Sequence, residues 1–413
     1  MSTQPSTTEP DATDDRTSIT ETIDALERAR GSRVISYVTS VRWNLVAQMS
    51  QDSVRVFLDH LLRLRPAGGA KLAAIDVFVV SNGGDGTVAW QLITYLREFA
   101  EKISVLVPYR AYSAATLLAL GADEIVMGPF GQLGPVDPKV QNEFNPDAGN
   151  GQKLSISVED VKSYIHFIKT TVGISHEDEL IKAVTALTDK VHPLALGNVE
   201  RFLAQSRLIA TKLLRTHMSE EQTHLIKDTV ETLVSKFYFH GHPIGREEAV
   251  TDLRLNVTKA DVEVEELMWK LFKEYERLGD MGAIFNPAVD IARARIGAEG
   301  PHRQQYVEMV EQAMGQGANR FQAHQMAETV LNQQHDPVLV EQEIPYVFID
   351  SGALSSRFVV RSRFELLPEQ VPGQAQIRQE AIDQGWITRK LTPRKAAAPK
   401  GSAKPASPRD AKG

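Results

Sequence analysis

Between Ser32 and Met127, apolar runs of strand length alternate with amphipathic runs of helix length, and this alternation leaves the chain few possible architectures. Ser32–Thr39 (SRVISYVT) is rich in β-branched residues, and Ala74–Val80 (AIDVFVV) is almost continuously apolar, as a strand covered on both faces must be. Ile103–Val107 and Glu124–Met127 read as two further strands. A short helix over Thr22–Arg30 precedes them. Asp52–Leu64 sets Val54, Phe57, Leu58, Leu61 and Leu62 on one helical face, and Val88–Ala100 and Ser113–Leu120 read as helices too. Strands joined by crossover helices run parallel, so the pattern predicts an α/β fold with a mainly parallel sheet.

Helical patterns dominate downstream. Ser157 opens an S-x-x-D start signal for a helix to about Thr171, followed by Glu177–Leu187, His192–Thr216, Glu220–Lys236 and Lys259–Leu278. The stripe Trp269, Leu271, Phe272 and Tyr275 reads as core or subunit interface. A Gly, Pro and Arg segment near Gly297–His302 marks a boundary. Beyond it come helices within Gln304–Leu331 and two strands, Ile344–Ile349 and Arg357–Arg361, joined around Asp350-Ser351-Gly352-Ala353. The expected division is an acidic disordered tail over 1–21, a main domain over 22–298, a small α+β extension over 299–388 and a basic disordered tail over 389–413.

The 413 residues, 42% of them hydrophobic, are ample for a large buried core. A net charge of -7 argues against general nucleic-acid binding, which shows as a basic excess. Cysteine is absent, which excludes disulfides, thiolate metal sites and a cysteine nucleophile. The amino terminus has no basic stretch followed by an apolar run, and no window approaches a membrane span. The expectation is therefore a cytoplasmic protein without membrane segments. His240 and His242 lack a third ligand at useful spacing, so no metal and no cofactor is expected.

Parallel strands bring their carboxyl ends to one edge, and two turns at that edge carry chemistry. Ser81-Asn82-Gly83-Gly84-Asp85-Gly86-Thr87 follows a buried strand, and glycines let backbone N–H groups approach a substrate carbonyl. Alone, it is equally a tight connection or a phosphate cradle, although no Gly-Lys-Ser/Thr follows to make a P-loop. Tyr109-Arg110-Ala111-Tyr112-Ser113-Ala114-Ala115 presents Ser113 where a helix begins. Serine there is either an N-cap or a nucleophile, and a nucleophile needs an oxyanion site nearby. The N–H groups of Gly84 and Ala114 suit that role, with Gly83 beside them.

SNGGDGT after an apolar strand, AYSAATLLALGADEIVM, Leu133-Gly134-Pro135-Val136-Asp137-Pro138, and Phe239-His240-Gly241-His242-Pro243-Ile244 before Arg246-Glu247-Glu248-Ala249 occur in a telling order. With these motifs the chain resembles the Clp protease and crotonase fold, and more closely the serine dehydrogenase proteinase family of Clp-fold serine peptidases. The resemblance covers about residues 30–280. It implies a spiral of strand-helix units with helical additions, Ser113 as nucleophile of a serine endopeptidase, and Gly84 and Ala114 amides as the oxyanion hole. Homo-oligomers, often three-fold, are also implied, with a peptide or protein as substrate; a partner ATPase is left open.

The sequence departs from the Clp protease pattern at the base. Where those enzymes carry a histidine this chain has Val136-Asp137-Pro138, and His240 falls near the place of their acid. Ser113, His240 as base and Asp137 as its orienter form one triad, since triads are defined by geometry and not by chain order. A Ser-Lys dyad, as in the signal peptide peptidase A relatives, is the alternative, with Lys139, Lys153, Lys162 or Lys190 as base. Two further functions stay open. One is a crotonase-type acyl-CoA thioester enzyme using the same oxyanion hole, and the other is a non-catalytic assembly protein of the same fold.

Overall fold

The computed structural model describes residues 17–136, 139–140, 143–147, 153–154, 156–236, 241–296, 302–333, 339–367 and 376–391. The first half alternates as the sequence predicts: α1 (Thr17–Arg30), β1 (Arg33–Thr39), α2 (Gln51–Leu64), β2 (Leu72–Val80), α3 (Gly86–Phe99), β3 (Ala100–Val107), β4 (Arg110–Ala111), α4 (Ala114–Leu120) and β5 (Glu124–Met127). Short pieces follow, β6 (Gln132–Leu133), β7 (Lys139–Val140) and β8 (Ile156–Ser157), and then helices α5 (Val158–His166), α6 (Glu177–Thr188), α7 (Pro193–Leu214), α8 (Thr223–Glu231) and α9 (Arg246–Thr251). α5 and α8 each run on into a wider π-helical turn, Phe167–Thr171 and Thr232–Lys236. The chain continues through β9 (Val257–Lys259), α10 (Val262–Leu278), α11 (Pro287–Ile296), α12 (Arg303–Gly315), α13 (Arg320–Gln333), β10 (Leu339–Ser351), β11 (Leu354–Leu367) and β12 (Gln376–Lys390).

Eight strands form one sheet in the order β12-β11-β10-β1-β2-β3-β5-β9. Its five strands from β1 to β9 are mutually parallel, and β10, β11 and β12 are antiparallel. Helices cover both faces, which is why the parallel strands read as apolar runs. One face, with Ile35, Tyr37, Val77, Val79 and Val105, packs against α2, α3, α4 and α7. The other, with Val34, Val38, Phe78, Leu106 and Val126, packs against α1 and α10, where Met268, Leu271, Phe272 and Tyr275 fill the interface. Each such side chain contributes about 1.5–3 kcal/mol on leaving water. The stripe on α10 is thus core, apart from Trp269, whose ring lies tilted against that of exposed Phe130 with centroids 5.1 Å apart.

The chain after Arg303 first forms its own small cluster, α12 against α13. It then returns to the main sheet. β10 lies antiparallel beside β1 with Ser36 opposite Asp350, and the predicted hairpin with β11 is present. The buried Tyr275 hydroxyl donates to Asp350 Oδ2 (2.9 Å) and lies 2.6 Å from Ser36 Oγ, tying α10, β1 and β10 together.

Candidate active site

Parallel β2 and β3 end at the same edge of the sheet, so the segments that leave them meet. Ser81 N–H donates to Arg110 O (2.8 Å) and Tyr112 N–H donates to Ser81 O (3.0 Å), which joins the two turns as a short parallel bridge. β6 extends this layer beside β4, and Leu133 is paired antiparallel with Ile244. Below the layer, Thr116 of α4 donates to Ala111 O (2.7 Å), lies 2.9 Å from Gly134 O and accepts from Gly134 N–H (3.0 Å). A single buried hydroxyl thereby fixes α4 to the segment that leads towards Asp137.

Ser113 stands at the start of α4 with φ 52° and ψ -111°, and its side chain makes no capping hydrogen bond. A capping serine has extended backbone and bonds the helix N–H groups, so this serine is not a cap. Positive φ in a residue other than glycine costs on the order of 1–3 kcal/mol and needs the surroundings to enforce it. Here the enforcement is visible. Tyr112 and Ala111 are held by Ser81, Ala115 N–H donates to Tyr112 O (3.0 Å), and Leu117 N–H donates to Ser113 O (3.0 Å).

Gly83 lies directly against this serine. A Cβ on Gly83 would come 2.7 Å from Ser113 Cβ and 3.2 Å from Ser113 Oγ, and its φ of +106° also favours glycine. Its own N–H donates to Ser81 Oγ (3.0 Å), which in turn accepts from Thr39 (2.8 Å), so Gly83 gives space and not a free donor. Gly84 differs. Met49 N–H donates to Gly83 O and Asp85 N–H donates to Met49 O, both at 2.9 Å. In an extended segment the intervening amide turns the other way, so Gly84 N–H points away from Met49. A side chain on Gly84 would meet the Met49 backbone at 2.4 Å.

Asp85 caps α3 by accepting from Thr87 N–H (2.8 Å). Burial pushes its carboxyl up, but the bonds from Thr87 and Gln51 outweigh that and hold it below the usual carboxylate range. Burial raises the Tyr112 hydroxyl against the pull of nearby Arg110, and that hydroxyl donates to Gln132 Oε1 (2.6 Å). The Arg110 guanidinium lies over the Tyr109 and Tyr112 rings at 4.9 and 5.9 Å. These contacts fix the turn before Ser113.

Ser113, Gly83, Gly84 and Ala114 are therefore brought together. Asp137 and His240 lie outside the described residues; Val136, the last described residue before Asp137, donates its N–H to Leu233 O (3.0 Å). Lys139 is in β7 and Lys162 in α5. Lys153 is 3.9 Å from Asp147, and Lys190 is exposed after α6. His242, weighed from the sequence only as a metal ligand, has its Nε2 2.7 Å from Glu248 Oε1. The spacing from His242 to Glu248 across the start of α9 was its only available signal. Among the described residues, no group of three or more His, Cys, Asp or Glu side chains is placed to hold a metal ion.

A hydroxyl at a strained strand-to-helix turn beside the Gly84 amide is a geometry suited to acyl chemistry. The fold is the Clp-like α/β fold, as the motifs led us to expect. Residues 15–150, which include both turns, match the family model of the ClpP-like SDH-type serine proteinases. Among curated proteins, uncharacterized protein MJ1495 of Methanocaldococcus jannaschii is 30% identical over 125 residues, covering 28% of this chain and 40% of that one. Uncharacterized protein MJ0137 of the same organism is 28% identical over 203 residues, covering 49% and 59%. The chain thus spans about half the length of these curated relatives. Similar solved structures include a mutant of the 1510-N membrane-bound stomatin-specific protease (14% identity, 59% of this chain, 85% of that chain, TM-score 0.31). Another is a ClpP1 mutant from Listeria monocytogenes (12% identity, 59% of this chain, 97% of that chain, TM-score 0.29).

Proposed function

We propose that the chain is a serine peptidase in which Ser113 Oγ attacks the scissile carbonyl while the N–H groups of Gly84 and Ala114 hold the oxyanion. The observation that carries this reading is the Ser113 backbone, a serine at φ 52° that begins a helix without capping it. Strain of that kind persists where a side chain has to be presented, and Gly83 gives it room. The Oγ–carbon bond forms as the hydroxyl proton passes to a base. The base returns that proton to the departing amine, and water then hydrolyses the acyl-enzyme. Since Met49 already occupies one edge of the Gly83-Gly84 segment, an extended peptide would add along the other, where Gly84 N–H is directed.

His240 is proposed as that base and Asp137 as its orienter. Asp137 follows Leu133 by four residues and His240 precedes Ile244 by four, and Leu133 and Ile244 form an antiparallel couple. That couple brings the motif of Leu133 and the motif of Ile244 together. The lysine dyad through Lys139, Lys153, Lys162 or Lys190 is the competing assignment. The lack of cysteine supports a reducing compartment, and the cytoplasm is the location proposed. Among the described residues, no helix is long and apolar enough to cross a membrane.

A fluorophosphonate probe tests the reading. Wild-type protein should take up one equivalent on Ser113 and Ser113→Ala none. Folded wild type that stays unlabelled would overturn the nucleophile. His240→Ala should slow labelling by about 100-fold or more, in the range that general-base catalysis supplies. If His240→Ala labels normally and one of the four lysine variants does not, the dyad replaces the triad.

A further inference from the structure

β12 ends the sheet. It is 15 residues long, contains no proline, and bears no strand on its outer side among the described residues. At about 3.3 Å per residue such an edge is an unusually long template for another strand. Most of it is exposed, with Ile382 at 41% and Ile387 at 38%. The residues that follow Leu391 are poorly suited to cover it, because Pro393, Pro399, Pro405 and Pro408 interrupt any ladder they would form.

Charge along β12 is divided. Glu380 and Asp383 lie in its first part beside Arg378, whose charge is taken by Glu365 of β11, while Arg389 and Lys390 end it. Across the sheet Glu380 and Asp383 face Arg363 and Arg361, both already bonded to Glu341. Arg389 and Lys390 face Ser355 and Leu354, which offer no carboxylate.

We propose that the occupant of this edge is a second copy of the chain, its β12 running antiparallel across a two-fold axis so that Glu380 of each strand meets Arg389 of the other. With the axis at Gly385, Gln384 pairs with Trp386 and Asp383 with Ile387. The register of β12 on β11 skips Ile382, a bulge residue. Beyond that bulge Ala381 pairs with Thr388, Glu380 with Arg389 and Gln379 with Lys390. Sliding the pairing by two residues in one direction would instead set Arg378 against Arg389. Like charges directly opposite each other disfavour that register. A parallel pairing is disfavoured for the same reason, because each charge would approach its own copy.

The test is a charge swap in the full chain, read by analytical ultracentrifugation with circular dichroism as a check of folding. Wild type should be a dimer. Glu380→Lys with Asp383→Lys, and separately Arg389→Glu with Lys390→Glu, should each raise the concentration at half-association at least tenfold. Mixing the two variants should restore dimers, because every acidic segment again meets a basic one. A wild type that is monomeric, variants that keep their association, or folded variants that do not recover on mixing would each overturn the proposal. If wild type is monomeric but dimerises once residues 392–413 are removed, the chain's own tail covers the edge and the second copy does not.

Discussion

At the scale of single residues, Gly83 and His60 make opposite demands on their surroundings. Gly83→Ala would drive a methyl to 2.7 Å from Ser113 Cβ in a backbone conformation that alanine avoids. We expect fluorophosphonate labelling to fall at least 100-fold while the thermal midpoint drops only modestly. Labelling at wild-type rates would show that the two turns are not pressed together. His60 is fully buried with its ring nitrogens 2.9 and 3.0 Å from Ser351 Oγ and Ser356 Oγ, and burial lowers it from 6.5 to about 3. Its native form is neutral, so the unfolded chain binds the extra proton first as pH falls. Stability contributed by the neutral ring is complete above pH 6.5 and is lost as pH drops towards about 3, at roughly 1.4 kcal/mol per pH unit. Urea midpoints of wild type and His60→Gln should therefore converge as pH falls from 6.5 to 4. Parallel curves would disprove a neutral buried imidazole. Ser113 and the two glycines were legible in the sequence because backbone geometry demands those residue types. The strain at Ser113 was not, and neither were the partners of His60, which arrive from 291 and 296 residues away.

At the scale of elements, legibility followed burial. β2 and β5 were found almost to the residue because strands covered on both faces must be apolar. β12 went unread since most of this edge strand is exposed, with little more than Ile377 and Trp386 packed inward, and QIRQEAIDQGWITRK shows neither alternation nor an apolar run. β9, with three residues, is too short for any periodicity and is defined only by its pairing with β5. The element α4 shows how little holds a turn. Thr116→Val keeps the shape of the side chain but leaves Gly134 N–H without its acceptor inside the protein. A loss of about 1–3 kcal/mol is expected from that unsatisfied group, together with slower labelling of Ser113. A denaturant midpoint unchanged from wild type would show that the Thr116 link is dispensable.

At the scale of the molecule, the sheet does not stop where the sequence suggested a boundary. The expected extension supplies β10, β11 and β12, and β10 covers the edge of β1 that α-helical crossovers leave open. A protein cut after residue 298 would expose that edge together with Ile349 and Phe348's apolar partners on both faces. We expect it to be insoluble or to lack a cooperative transition in urea, whereas removal of 392–413 should leave the transition intact. A soluble, cooperatively unfolding 1–298 fragment would refute this. The hydropathy pattern did mark the hairpin, yet nothing local could say which sheet it joins, because strand pairing over such a separation leaves no periodic trace.

The pairing of β1 with β10 also sets a timetable. Ser36 and Asp350 are 314 residues apart, and a ribosome adding about 5–20 residues per second needs roughly 15–60 s between them. Throughout that interval the nascent chain holds a central strand with one raw edge. Whatever the emerging polypeptide builds early, that edge is covered only when β10 arrives, 314 residues after Ser36.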